Sequence, residues 1–174
     1  QRQHVKQMIR DVAAETGVTL SDGDPAQDSL VRVGLKLLER QLESLNYSAP
    51  EMDEDNLAES LNRCAELLIV SLEEKLDQKH RPAHSLLDRA RALRRTIHKV
   101  RMEPEEYPEY PDIDTWANEG LLALRVLSYT GDYLNDNPSL DRIAETAEKL
   151  KEDMTSKSQR AFATRQVFVE LGEP

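Results

Sequence analysis

Between Lys79 and Arg101 the chain carries eight lysines or arginines and a single acid, Asp88; from Met102 to Glu119 it carries seven acids and no base. Charge segregated in this way suits ionic recognition. Arginine presents a planar fork of donors that matches carboxylate or phosphate, and a neighbouring acidic run offers the complementary chemistry. On a helical wheel Arg91, Arg95, His98 and Lys99 oppose the apolar positions of their segment, and Arg89, Arg94 and Arg101 flank that apolar seam. The acidic half begins M-E-P-E-E-Y-P-E-Y-P-D-I-D-T-W, and three prolines in eight positions exclude a helix there. Its candidate contact residues are Glu105, Glu106, Tyr107, Tyr110 and Asp112. Pro108-x-x-Pro111 also has the spacing of an extended proline ligand. The competing reading is a solvated basic face partly neutralised by the acids beside it, with both tyrosines folded back and Trp116 as their anchor.

The remaining reactive residues carry less. His80 and His84 have the i, i+4 spacing of a zinc pair, but Pro82 marks a helix start between them and no second Cys or His pair stands nearby. Asp22, Asp24 and Asp28 have too few alternating oxygen donors for a calcium loop and serve better as turn and capping residues. Asp112 and Asp114 have no companion base, and Asp114 is expected to cap the helix that follows. Arg125 is the only charged residue between Gly120 and Thr130, so it is expected inside the domain, paired with an acid from the acidic stretch or the third helix. Ala83–Leu93, read A-H-S-L-L-D-R-A-R-A-L, resembles the phosphate-accepting helix of histidine phosphotransfer bundles, which would make His84 the acceptor. The lysine and glycine that the family places soon after its histidine are Leu87 and Asp88 here. That removes both the charge partner and the close backbone approach, so no family is assigned. The chain has no glycine-rich phosphate loop, no G-x-S-x-G, no C-x-x-C, no H-E-x-x-H and no di-iron E-x-x-H pair. No cofactor or metal is expected, and nothing supports an enzyme.

These residues must be positioned by helices. A chain of 174 residues with 39% hydrophobic and 32% charged residues suits one globular domain, and six glycines with 5% aromatics favour helices over a barrel or sandwich. Apolar residues recur at three and four along Gln3–Thr16 (Val5, Met8, Ile9, Val12), Pro25–Asn46 (Leu30, Val33, Leu37, Leu38, Leu42, Leu45) and Glu54–Gln78 (Leu61, Ala65, Leu68, Leu72, Leu76). Gly17 supplies a stop, and Gly34, in mid-helix, points to close backbone packing. Leu86, Ala90, Leu93, Ile97 and Val100 form the sharpest seam, two heptads long, in a helix started by Pro82. Thr115–Tyr129 is almost wholly apolar and is expected at the centre of the bundle. Leu140, Ile143, Ala147, Leu150 and Met154 stripe the next helix, and Ala161–Leu171 regains an apolar pattern.

The expected fold is therefore all-α: residues 1–174 as a single-domain bundle of six to seven mostly antiparallel helices with one long acidic, proline-rich loop. Gln1 falls inside the first helix, which suggests a domain cut from a longer protein. A net charge of −10 disfavours nucleic acid and anionic membrane, no window spans a bilayer, and one cysteine, Cys64, fits a reducing, cytoplasmic setting. The expected function is a protein-interaction or assembly module, binding a protein partner or itself through Arg91, Arg94, Arg95 and Lys99, through the acidic loop, or both. Its alternatives are a ligand-binding or catalytic bundle centred on Arg125, and polyanion binding by the basic helix.

Overall fold

The computed structural model describes residues 2–21, 23–78, 84–107, 110–129 and 138–155, and every regular element among them is a helix. The order is α1 (Arg2–Thr16), α2 (Ala26–Ser44), α3 (Leu57–Lys75), α4 (Leu86–Met102), α5 (Ile113–Ser128) and α6 (Leu140–Thr155). The first three helices stop in the same way. Gly17, Asn46 and Asp77 take left-handed backbone conformations with φ of 68°, 64° and 49°. At each, its own amide and the next one reach back to the last turn: Tyr47 N–H donates to Leu42 O at 2.9 Å and Gln78 N–H to Glu73 O at 2.8 Å. This is the Schellman arrangement, which satisfies carbonyls that the helix itself leaves open. The glycine stop read from the sequence at residue 17 is therefore one of three equivalent stops, the other two made by Asn and Asp.

The helices pack in two sets of three. α3 lies against α4 and α5, which also pack on one another, and α1 lies against α2 and α6, which likewise touch. The first set buries Leu68, Ile69 and Leu72 of α3 against Leu93 and Ile97 of α4 and Ala123 and Val126 of α5. The second buries Val5, Met8 and Ile9 of α1 with Leu30 of α2 and Ala147 and Leu150 of α6. α2 joins them: its first half faces the second core, while Leu38 and Leu42 enter the first. Burial of leucines at about 1.5–3 kcal/mol each is the dominant force holding each set together.

Several expectations are corrected. α4 begins at Leu86 and not at Pro82, because Ser85 is a better stop for an open amide than proline: its Oγ accepts from Asp88 N–H at 3.2 Å. Asp114 does not cap α5; it sits inside the first turn, where its carboxylate meets Arg101 at 2.9 Å, and Asp112 occupies the capping position without a side-chain cap bond. α5 packs against both α3 and α4 but keeps one open side, where Leu121 is exposed. Arg125 is half-buried on that side and does not lie at the centre. Gly34 lies against Leu150 with a nearest approach of 3.6 Å to an added Cβ, which is ordinary contact, so close packing does not demand glycine there. Ser139, directly before α6, caps it, its Oγ accepting from Arg142 N–H at 3.2 Å. Asp22, His80, Pro82, Pro108, the turn over 131–137 and the apolar tail Ala161–Leu171 lie outside the described residues.

Candidate functional site

α4 presents its seam inward and its cations outward. Ala90, Leu93, Ile97 and Val100 are buried, which with a rotation of 100° per residue turns Arg91, Arg94, Arg95 and His98 to solvent; all four are exposed. The helix is fixed from behind by one cation that does not face out. Arg89 is 8% exposed, and its guanidinium grips Glu73 of α3 bidentately, Nε to Oε1 at 2.8 Å and Nη2 to Oε2 at 2.7 Å. That bond, ahead of the opposing effect of burial, raises Arg89 above the ordinary arginine value. Among the described residues Arg91, Arg94 and Arg95 have no such carboxylate. By contrast Arg32 pairs with Asp24 and Glu54, Lys36 with Glu39, and Arg63 with Glu59.

The acidic connector engages only the last turns of α4. Asp114 takes Arg101, and Lys99 Nζ lies 5.3 Å from the centre of the Tyr107 ring. Tyr107, then Glu103, raises the Lys99 ammonium above its ordinary value. The connector is a run of tight turns, with Glu106 N–H donating to Glu103 O at 3.0 Å and Tyr107 N–H to Pro104 O at 3.3 Å. Its rings stack in series: Tyr107 on Tyr110 at 6.4 Å, then Tyr110 edge-on to Trp116 at 5.6 Å, and Trp116 packs on the first core. The tyrosines fold back, as aromatic surface favours, while Glu103, Glu105, Glu106 and Asp112 remain exposed. Of the residues read as a contact surface, Lys99 and Tyr107 engage one another, Tyr110 belongs to the aromatic series, and Arg91, Arg94 and Arg95 form an open basic face beyond the reach of the acids.

A polar cluster that periodicity counting passes over lies between α3 and α5. Glu119 is 2% exposed, and Lys75 Nζ donates to its two oxygens at 2.8 and 2.7 Å and to Tyr47 Oη at 2.8 Å. The Tyr47 hydroxyl donates to Glu119 Oε2 at 2.8 Å and lies the same distance from Ser71 Oγ. Burial pushes the Tyr47 phenol up. Burial alone would lower Lys75, but Glu119 and Tyr47 together outweigh it and hold the ammonium above its ordinary value. Tyr47 directly follows Asn46, the Schellman stop of α2, so the stop aims its ring at this cluster. Every group is partnered, and the arrangement acts as a polar pin between the α2–α3 connection and the first core. The signals for Glu119, Glu73 and Arg89 are in the sequence: each is a charge placed within the apolar face of its own helix.

The Arg125 reading meets a different environment from the one expected. Beside it lies a cleft of about 70 Å³, lined by leucines of α2, α3, α5 and α6 with Gln41, Tyr129 and Thr146 as the other side chains that carry polar groups. Ligand pockets usually run to ~300–1,000 Å³. A shallower depression of about 500 Å³ between α2 and the α2–α3 connection is charged, but its Arg32 and Lys36 are already paired. Among the described residues no buried side-chain nitrogen or oxygen lacks a partner, so the interior offers no orphaned group for a ligand to satisfy. Cys64 is fully buried and its thiol is pushed up to about 11 by burial, which makes it a poor nucleophile. Among the described residues no three Cys, His, Asp or Glu side chains gather to hold a metal ion, and no helix is long and apolar enough to cross a membrane. No family model matches the chain, and neither a curated protein nor a solved structure does so.

Proposed function

We propose that the protein is an interaction module that docks an acidic protein segment on the outer face of α4. The observation that carries this is the set Arg91, Arg94 and Arg95: three exposed guanidinium groups within about one and a half turns, without carboxylates among the described residues, in a chain with 33 acids and 23 bases. Like charges at this spacing on a helix repel by a few tenths of a kcal/mol each. A partner carboxylate relieves that repulsion and gains charge-assisted, bidentate bonds. The negative charge elsewhere steers such a partner to this one positive region and turns away strongly anionic polymers such as nucleic acid, whose charge meets the whole surface.

The test compares retention of the purified protein on an immobilised glutamate-rich polypeptide and on duplex DNA. Wild type is expected to bind the polypeptide in a salt-dependent way, Arg91→Glu/Arg95→Glu to lose it, and Arg63→Glu, on the outer side of α3, to keep it. Equal retention of wild type and the α4 variant would remove the proposal. Tighter retention on DNA than on the polypeptide would replace it with polyanion binding.

A further inference from the structure

We infer that the acidic segment received by this face is the connector of a second copy of the chain, in a two-fold dimer. This rests on the interaction reading above and gives it a partner. Basic and acidic groups follow one another along the chain: Arg91–Arg95 on α4, then the exposed acids Glu103, Glu105 and Glu106 just past its end. Among the described residues they do not pair within one molecule. The connector turns onwards into α5, with Asp114 held by Arg101 and Tyr107 held over by Lys99, so the acids stop at the last turns of α4. At ~1.5 Å per residue the centre of the basic group lies about 14 Å along α4 from Met102, just past which the acidic group begins. A two-fold axis across the midpoint, at His98–Met102, turns each acidic group onto the other copy's basic group. One rotation therefore forms two identical ionic contacts, the self-complementary geometry of an isologous interface.

A second observation lies on that axis. Met102 is 68% exposed, well beyond Val70, Leu121 and Leu87, the other large hydrophobic side chains left exposed among the described residues. A solvent-facing methionine between two charged patches has no role in the monomer's core, and the two-fold arrangement covers it against the same region of the partner copy. Methionine's unbranched, polarizable side chain suits such a contact. The net charge of −10 opposes association only at long range. At 0.15 M salt the screening length is ~8 Å, so the local contacts between opposite charges outweigh the overall repulsion.

The experiment is sedimentation equilibrium of the full chain at ~0.1 M and ~0.5 M salt, with three charge variants. Wild type is expected to dimerise, more weakly at the higher salt. Arg91→Glu/Arg94→Glu and Glu103→Lys/Glu106→Lys should each raise the dimer dissociation constant about tenfold or more by placing like charges opposite one another. An equimolar mixture of these two variants should recover association, and so should the quadruple variant that carries both changes, because each restores opposite charges at both contacts. Circular dichroism of each variant separates loss of pairing from loss of fold. A wild type that stays monomeric to millimolar concentration at both salts, or failure of both the mixture and the quadruple variant to associate, overturns the inference. Retention on the glutamate-rich polypeptide then decides the underlying reading: if wild type still binds it through Arg91 and Arg95, only the second copy is wrong, and if it does not, both fall.

Discussion

Replacing Arg89 by methionine tests the claim that α4 is clamped from behind by a desolvated ion pair. The change removes two charge-assisted bonds of 2.8 and 2.7 Å and leaves the Glu73 carboxylate, 9% exposed, with no opposite charge. Breaking a buried pair from one side costs about 3–5 kcal/mol, because the stranded charge keeps its desolvation penalty and loses its compensation. For a chain of 174 residues each kcal/mol lowers the melting temperature by roughly 2–4 °C, so a fall of about 6–20 °C is expected. The measurements are thermal unfolding, for the melting temperature, and urea denaturation, for the free energy, each followed by circular dichroism and by the fluorescence of Trp116. The double variant Arg89→Met/Glu73→Leu should return to within about 1 kcal/mol of wild type, since a well-packed apolar pair of similar volume substitutes for a buried ionic one. Arg89→Lys should fall between, keeping the charge but losing the fork. The reasoning is refuted if Arg89→Met costs less than about 1 kcal/mol, or if the double variant is as unstable as the sum of the singles. Below its melting temperature Arg89→Met should still bind acidic polypeptide, because Arg89 faces the core and not the docking surface.

Three further outcomes follow from the same geometry. Lys75 and Tyr47 both hold their protons more tightly in the folded state, so their contribution is complete below their ordinary values, near 10.5 and 10 respectively, and is lost as pH rises through the higher folded values; stability should fall in that alkaline window, and Lys75→Met/Glu119→Gln should flatten the fall. Cys64, fully buried with its thiol raised to about 11, should resist a thiol-reactive disulfide reagent at pH 8 until denaturant unfolds the chain; prompt reaction in the native protein would contradict its burial. Gly34→Ala should raise stability by about 1 kcal/mol, because an added methyl meets Leu150 at ordinary contact distance and glycine costs about that much in a helix interior; destabilisation would show that the packing there is tighter than described.

The helical framework was legible because its apolar residues repeat with the helical period and because Gly17 and Ser139 act locally. What was missed are the features that depend on which face a residue occupies. The apolar sequence neighbours of Arg125 point to burial, yet it shares the side of α5 that carries exposed Leu121 and Ser128. Arg89 was read as flanking, although its wheel position falls beside Val100 on the buried side. Glu73, one residue from Leu72, and Glu119, three and four residues before Leu122 and Ala123, carry the same signal. A charge within an apolar stripe predicts a buried partner, but which partner it meets is a tertiary fact. The Lys75–Glu119–Tyr47 cluster joins residues 28 to 72 positions apart, and no local pattern links them. The start of α4 was misplaced for a simpler reason: proline suits a first turn, but Ser85 accepts the open amide directly.

The arrangement of charge around α4 explains why its outer face is suited to recognition and not merely left over. Binding is weakened when the element that carries the contacts must be ordered at the moment of association. Here the helix is already held in three ways: Ser85 closes its first turn, Arg89 joins it to α3, and Arg101 with Lys99 ties its last turns to the connector. The side chains consumed in holding it are those on the inner face and at the ends. What remains between them is Arg91, Arg94 and Arg95, flexible at the tip but carried on a fixed backbone. A partner then orders three side chains at roughly 0.5–1.5 kcal/mol each and no backbone. Exposed single ion pairs contribute about 0.2–1 kcal/mol apiece, so one such pair would not offset that ordering, whereas several engaged together and shielded by apolar contact at Met102 can. This favours a partner that meets all three guanidinium groups at once over one that meets a single carboxylate, and it makes binding fall steeply, not gradually, as the arginines are removed one by one.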